Sequence, residues 1–233
     1  MDLRPTLPNE SARGVLSEKK SLSASERDEA SRAAWRVRVR GVDPARWVWV
    51  DEFGSHLGLT RTYARSSRGE RAAGSAPRNR GQNRTTLTSL TLDGLGPGML
   101  VEGGITTRGF EVYVEHVLAP TLRPGQIVAL DNLRQHQSER VRQAIEARGA
   151  ELWFLPSYSP DLNPIEEAFS KVKALLRDAA ARTHEALVAA IWAALRAITP
   201  ADARGYFTHG GYQPPTRRHP RSPQRAPRRG RAA

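Results

Sequence analysis

Three acidic residues occupy places where a carboxylate could do chemistry. Asp51 follows the apolar run Trp47-Val48-Trp49-Val50, and Asp131 follows Ile127-Val128-Ala129-Leu130. Glu166 lies in the string Ser157-Tyr158-Ser159-Pro160-Asp161-Leu162-Asn163-Pro164-Ile165-Glu166-Glu167. There Asn163 is a good N-cap and Pro164 a good first helical residue, which puts Glu166 in the first turn of a helix. If the two apolar runs are neighbouring buried strands, their terminal aspartates converge, and Glu166 approaches from the helix. Carboxylates gathered in this way repel one another unless a cation sits among them. An oxygen-only set, in a chain without cysteine, favours a hard ion, Mg²⁺ or Mn²⁺. Two such ions about 3.5–4 Å apart activate an attacking oxygen and stabilise a leaving one in phosphodiester cleavage. Asp51 would bridge both ions, with Asp131 on one and Glu166 on the other. Each acid also has a plainer reading. Asp51 and Glu52 can begin a turn, Asp131-Asn132 can turn the chain and cap a helix, and Glu166 can reach back to Asn163 in a capping box.

The elements that must position these acids follow from hydrophobic period and turn residues. A helix is expected from Ser25, as N-cap, to about Arg38, and Val42-Asp43-Pro44 breaks it. Trp47–Val50 reads as a strand buried on both faces. Leu57–Ala64 reads as a second, antiparallel strand, Thr85–Leu92 as a third, and Met99–Ile105 as a further one. Between them, residues 66–83 are rich in Gly, Ser, Pro and Arg and read as a long loop. A helical period over Gly109–Leu122 precedes the strand at 127–130. Ser138 then caps a helix to Arg148, Leu152–Leu155 is a strand, and helices follow at 164–181, 184–198 and after Pro200 to near Phe207. Antiparallel strands followed by alternating strands and helices give an α/β chain with a mixed sheet flanked by helices, of the ribonuclease-H-like type. The expected division is a linker with one helix over 1–46, a catalytic domain over 47–209 and a disordered Arg/Pro-rich tail over 210–233.

The net charge of +12 points to a polyanionic partner, nucleic acid first. Seven arginines and no acid lie between Arg217 and the end. A second cluster, Arg61, Arg65, Arg68, Arg71, Arg78, Arg80 and Arg84, has only Glu70 against it. Arg61, Arg65 and Arg68 are candidates to grip backbone phosphate, which gives affinity without sequence choice. Asn132 is a candidate to orient Asp131 or to hydrogen-bond DNA. His136, five residues beyond Asp131, is a candidate phosphate or active-site-loop contact, with capping or packing as its plainer role. No run approaches the roughly 18 apolar residues of a membrane span. No secretory leader is evident at Met1–Pro5. The expectation is a soluble cytoplasmic protein associated with the nucleoid, with no membrane partner.

The strand ending at Asp51-Glu52, Val128-Ala129-Leu130-Asp131-Asn132 with His136 beyond it, and Leu155-Pro156-Ser157-Tyr158-Ser159-Pro160-Asp161-Leu162-Asn163-Pro164-Ile165-Glu166 together resemble the DDE transposases of the mariner-like superfamily. The resemblance is strongest to their bacterial insertion-sequence branch. The 34 residues between Asp131 and Glu166 match the spacing characteristic of that superfamily. The resemblance implies a ribonuclease-H-like fold and a Mg²⁺-dependent endonuclease and strand transferase acting on transposon ends. It carries the catalytic triad over to Asp51, Asp131 and Glu166. It also implies action as a homodimer on paired ends and preference for a TA target. Full-length members carry helix-turn-helix DNA-binding modules ahead of the catalytic domain, whereas residues 1–46 hold at most one helix. The expectation is therefore the catalytic half of a split gene, with a separately encoded helix-turn-helix half, or a truncated copy. The rival readings are a non-catalytic DNA-binding remnant that inhibits an intact transposase, and a ribonuclease-H-like nuclease of another substrate.

Overall fold

The computed structural model describes residues 24–61 and 63–213. The irregular segment expected at 1–20 and the basic stretch from 214 onward lie outside the described residues.

The strand β1 (Trp47–Ser55) organises the sheet. Its side chains alternate between two cores because a strand has a period of two. Trp47, Trp49 and Phe53 enter one apolar cluster, while Val48 and Val50 enter the other. On one side β1 pairs antiparallel with β2 (Arg84–Thr91), from Trp49 opposite Leu90 to Ser55 opposite Arg84. On the other side it pairs parallel with β5 (Ile127–Leu130), with Trp49 opposite Ala129. The short strands β3 (Gly94–Leu95) and β4 (Met99–Glu102) both pair antiparallel with β2. β6 (Glu151–Phe154) pairs parallel with β5. The spatial order is β3-β2-β1-β5-β6, with β4 also on β2. This is the mixed, ribonuclease-H-like sheet expected from the sequence.

Helices cover both faces. The face bearing Trp47 and Trp49 packs against α1 (Glu29–Arg38), α4 (Pro164–Ala179), α5 (His184–Arg196) and α6 (Pro200–His209). The opposite face packs against α2 (Thr107–Tyr113), which runs on through a wider turn at 114–118, and α3 (Glu139–Glu146). No single described helix is long and apolar enough to cross a membrane.

Three expectations are corrected. Leu57–Ala64 is not a strand: the described residues between Ser55 and Arg84 belong to no strand, because β2 takes the place beside β1. β2 wins that place by burying six consecutive residues, Thr85–Leu90, between the two cores. The first helix begins at Glu29, capped by the carboxylate of Asp28 rather than by Ser25. It is also no loose linker, since Trp35 is buried in the main core and Arg32 is fully buried. Finally, the expected tail boundary at 210 falls too early, since Tyr212 is buried.

These last two segments clamp the loop that leads to Glu166. The Arg32 guanidinium donates to both carboxylate oxygens of Asp161, at 2.9 and 2.6 Å. Trp35 Nε1 donates to the Tyr212 hydroxyl at 2.9 Å, which donates to the Leu162 carbonyl at 2.6 Å. The Arg32–Asp161 pair is lopsided: Arg32 is 0% exposed and the Asp161 side chain 51%. The Arg32 bonds hold the Asp161 carboxyl below its usual range, against the smaller pull of burial. Removing Asp161 leaves the buried Arg32 charge with only the exposed Glu29, 3.4 Å from its Nε, whereas removing Arg32 frees a carboxylate that water already reaches. Asp161→Ala is therefore expected to lower stability by about 2–4 kcal/mol, a value discounted for the exposed partner. Arg32→Met is expected to cost less. The depressed carboxyl contributes stability above the unfolded value of about 3.9 and loses it as pH falls through the folded one. Urea midpoints at pH 7 and pH 3 check both: the gap between wild type and Asp161→Ala should narrow at the lower pH.

Candidate active site

The period-two alternation that buries Trp47 and Trp49 on the α4 face carries Asp51 to that face, and Ile127 and Ala129 do the same for Asp131. Since Trp49 is opposite Ala129, the two aspartates follow at the same level of adjacent parallel strands. Glu166 projects from the first turn of α4, whose Ile165, Ala168 and Phe169 are packed in the same core. All three acids line one cleft with Asn132, Leu133, Asn163 and the 155–160 loop.

Asp51 is the buried member, at 9% exposure. One carboxylate oxygen accepts the Glu52 N–H at 2.7 Å, and the other accepts the Asn163 side-chain amide at 2.8 Å. Burial first, then the Glu166 charge, push its carboxyl up to about 8, with smaller upward pushes from Asp131 and Glu52, against the pull of the Glu52 N–H. Glu166 itself is exposed. Asn163 is at the N-cap of α4, but its side chain does not cap the helix, and the Glu166 amide bonds instead to the Asn163 backbone carbonyl at 3.1 Å. The capping-box reading of Glu166 is thus set aside.

Asp131 is held by His136, whose Nδ1 hydrogen-bonds to one of its carboxylate oxygens. The imidazole is fully buried, with its ring 4.1 Å from that of Phe110 and its Nε2 3.4 Å from Glu52 Oε2. Burial pulls the imidazole down, but the bonds to Asp131 and Glu52 outweigh it and push it up to about 9. The DNA-contact expectation for His136 is therefore corrected: its ring reaches no solvent, and it braces Asp131 from behind. The apolar neighbour Phe110, far away in sequence, is what buries it. Asn132 is exposed, where its amide donates to Ser157 Oγ at 3.4 Å and its Oδ1 accepts from Gln137 at 2.6 Å. Arg65 and Arg68 are exposed on the long loop, whereas Arg61 pairs with Asp178 at 2.6 Å.

Sequence reasoning missed Asn163 as a partner of Asp51, because its helix-start position already accounted for an asparagine. It also missed Glu52 as the second acid at His136. Tyr158 went unremarked too: it has φ 53°, a strained value for an aromatic residue, and is 57% exposed at the cleft.

Among the described residues, no three His, Asp or Glu side chains stand close enough to hold one metal ion. Asp51, Asp131 and Glu166 share the cleft without reaching a common coordination distance. The chemistry of the set nonetheless fits a hard divalent cation. It is all oxygen, it carries uncompensated repulsion at Asp51, and beside it the buried Asn163 Oδ1 has no hydrogen-bond donor.

His136→Phe, which keeps the ring beside Phe110 but removes the bond to Asp131, is expected to lower stability by about 1–3 kcal/mol. Chemical denaturation checks this. A phosphate ligand at the surface would instead leave the midpoint in place and lower DNA affinity alone.

Compared with known proteins, residues 46–188 match a family model described as DDE superfamily endonuclease, a span containing all three acids. No curated protein matches. Among solved structures, the Mos1 transposase paired-end complex with left transposon end aligns with a TM-score of 0.70 at 18% identity, covering 85% of this chain and 65% of that one. The Mos1 mariner paired end complex with Mn gives 0.65 at 19%, covering 86% and 65%. The catalytic domain of Mos1 mariner transposase gives 0.55 at 15%, covering 79% and 87%. The chain thus spans just under two thirds of the Mos1 chains in the two complexes, and at these identities the likeness is one of fold.

Proposed function

Because this chain belongs to the DDE superfamily endonucleases, we propose that it is the catalytic domain of a transposase that cleaves DNA at transposon ends and transfers the freed strand to target DNA. The observation that carries this reading is the convergence of Asp51, Asp131 and Glu166 on one cleft, within the span that matches the family.

In this reading Asp51, Asp131 and Glu166 hold divalent cations, Mg²⁺ or Mn²⁺, as a pair. Bound there, such ions supply Lewis-acid activation of the attacking oxygen and charge stabilisation of the leaving one. The protein's own part is placement. Asn163 and the Glu52 N–H fix the Asp51 carboxylate, His136 braces Asp131, and the start of α4 presents Glu166. Arg65 and Arg68 on the exposed loop contact DNA backbone, and Arg61 does so by exchanging Asp178 for a phosphate. Asn132, exposed at the cleft, contacts DNA near the scissile bond. Such contacts give affinity that falls steeply with salt. The active form is a homodimer on paired ends in the cytoplasm, at the nucleoid.

Purified protein with Mn²⁺ and duplex DNA carrying a terminal inverted repeat is expected to nick at the element end. Asp131→Ala should reduce nicking at least about 100-fold, the scale of losing one group that stabilises transition-state charge. Gel analysis of end-labelled duplex reads both. Wild-type binding without metal-dependent nicking would mark a DNA-binding remnant, and preference for an RNA–DNA hybrid would mark a different nuclease.

A further inference from the structure

Asn163 sits where an asparagine normally caps a helix, its side-chain oxygen accepting an N–H of the first turn. Here it makes no such bond. Its amide instead donates to Asp51 Oδ2 at 2.8 Å, across 112 positions of sequence. Asn163 is 5% exposed and Asp51 9%, so the bond is shielded from water. The other oxygen of Asp51 is held by the Glu52 N–H at 2.7 Å. One donor on each oxygen fixes the plane of the carboxylate, and each oxygen keeps a further lone pair. Asn163 Oδ1 is left buried without a donor, in a residue that lines the cleft. A buried amide oxygen beside a cleft is free to accept a hydrogen bond from an O–H or N–H placed there.

We propose that Asn163 is a positioning residue for Asp51: its amide orients the carboxylate toward the cleft, and its Oδ1 accepts a hydrogen bond from water carried by a divalent cation bound there. The proposal rests on the metal-dependent reading of this cleft and adds a residue to it. Outer residues that orient metal ligands in this way typically change metal affinity by about 10–100-fold when replaced. A residue acting only as a structural strut would leave metal affinity unchanged.

The test uses the full chain, with Asn163→Ser, Asp51→Asn and the double variant. Serine still caps a helix but is too short to reproduce the reach to Asp51. Thermal melts in metal-free buffer read folding, and Mn²⁺ titrations followed by the shift in melting temperature read metal affinity apart from cleavage. Asn163→Ser is expected to fold with a melting temperature close to wild type, because a cap bond is gained as the Asp51 bond is lost. Its half-saturating Mn²⁺ concentration should rise at least tenfold. The double variant should be non-additive in the metal-free melts. Wild-type Mn²⁺ affinity in Asn163→Ser would overturn the proposal while leaving the metal reading intact. Failure of the wild type itself to bind Mn²⁺ would overturn both, and the metal-free double-variant cycle would then identify the Asn163–Asp51 bond as purely structural. Additivity in that cycle would overturn the orienting role.

Discussion

A buried carboxylate with other acids beside it is the constraint on which this structure turns. Asp51 lies within the central strand, between buried Val50 and, two residues on, buried Phe53; little water remains there to solvate a charge, and Glu166 and Asp131 raise its cost further. Such a group persists in a fold only if its neighbours hold it. The Glu52 N–H and the Asn163 amide do so for Asp51, and His136 does so for Asp131. The site is therefore built outward, from carboxylates to the groups that orient them, and then to the elements carrying those groups.

Those elements are tied down from both ends of the described chain. The loop before α4 delivers both Asn163 and Glu166, and it has little regular structure of its own. Helix α1 grips it through Arg32 and Asp161, and the segment after α6 grips it through Tyr212 and the Leu162 carbonyl. Trp35 joins the two grips, donating to the same Tyr212 hydroxyl while its ring packs tilted against Trp47 and edge-on against Trp153. The site thus depends on residues before and after the strands that lead to Asp51 and Asp131, and α1 and the segment around Tyr212 belong to the same packed unit as the sheet.

Local rules are broken where the cleft lies. Asn163 forgoes a cap bond that is typically worth about 1 kcal/mol. Tyr158 adopts a left-handed backbone at φ 53°, of the kind that costs about 1–3 kcal/mol. By contrast α1, α3, α5 and α6 all have side-chain N-caps, and α6 has a full capping box; away from the cleft, Ala180 at the end of α4 also takes a left-handed backbone, at φ 45°. A segment that sacrifices local stability within a well-capped framework is being held for a purpose other than its own folding.

What the sequence by itself determined is tied to short-range pattern. The runs at Trp47–Val50 and Ile127–Leu130 announced buried strands, and Asp51 and Asp131 were legible as the acids that follow them. Asn163-Pro164 announced the start of α4 and hence the place of Glu166. Leu57–Ala64 marks the limit of short-range pattern: its strand-like residues lost to Arg84–Thr91, which buries six residues in a row against both cores. Only the tertiary structure decided the long-range partners. Nothing local distinguishes an asparagine that caps from one that reaches Asp51, or a histidine that meets phosphate from one sealed behind Asp131 by Phe110. Nor does the neighbourhood of Arg32 or Tyr212 reveal that both end on the loop before α4. Propensity and period act over a few residues, whereas these bonds exist only once distant elements have packed and shut out water.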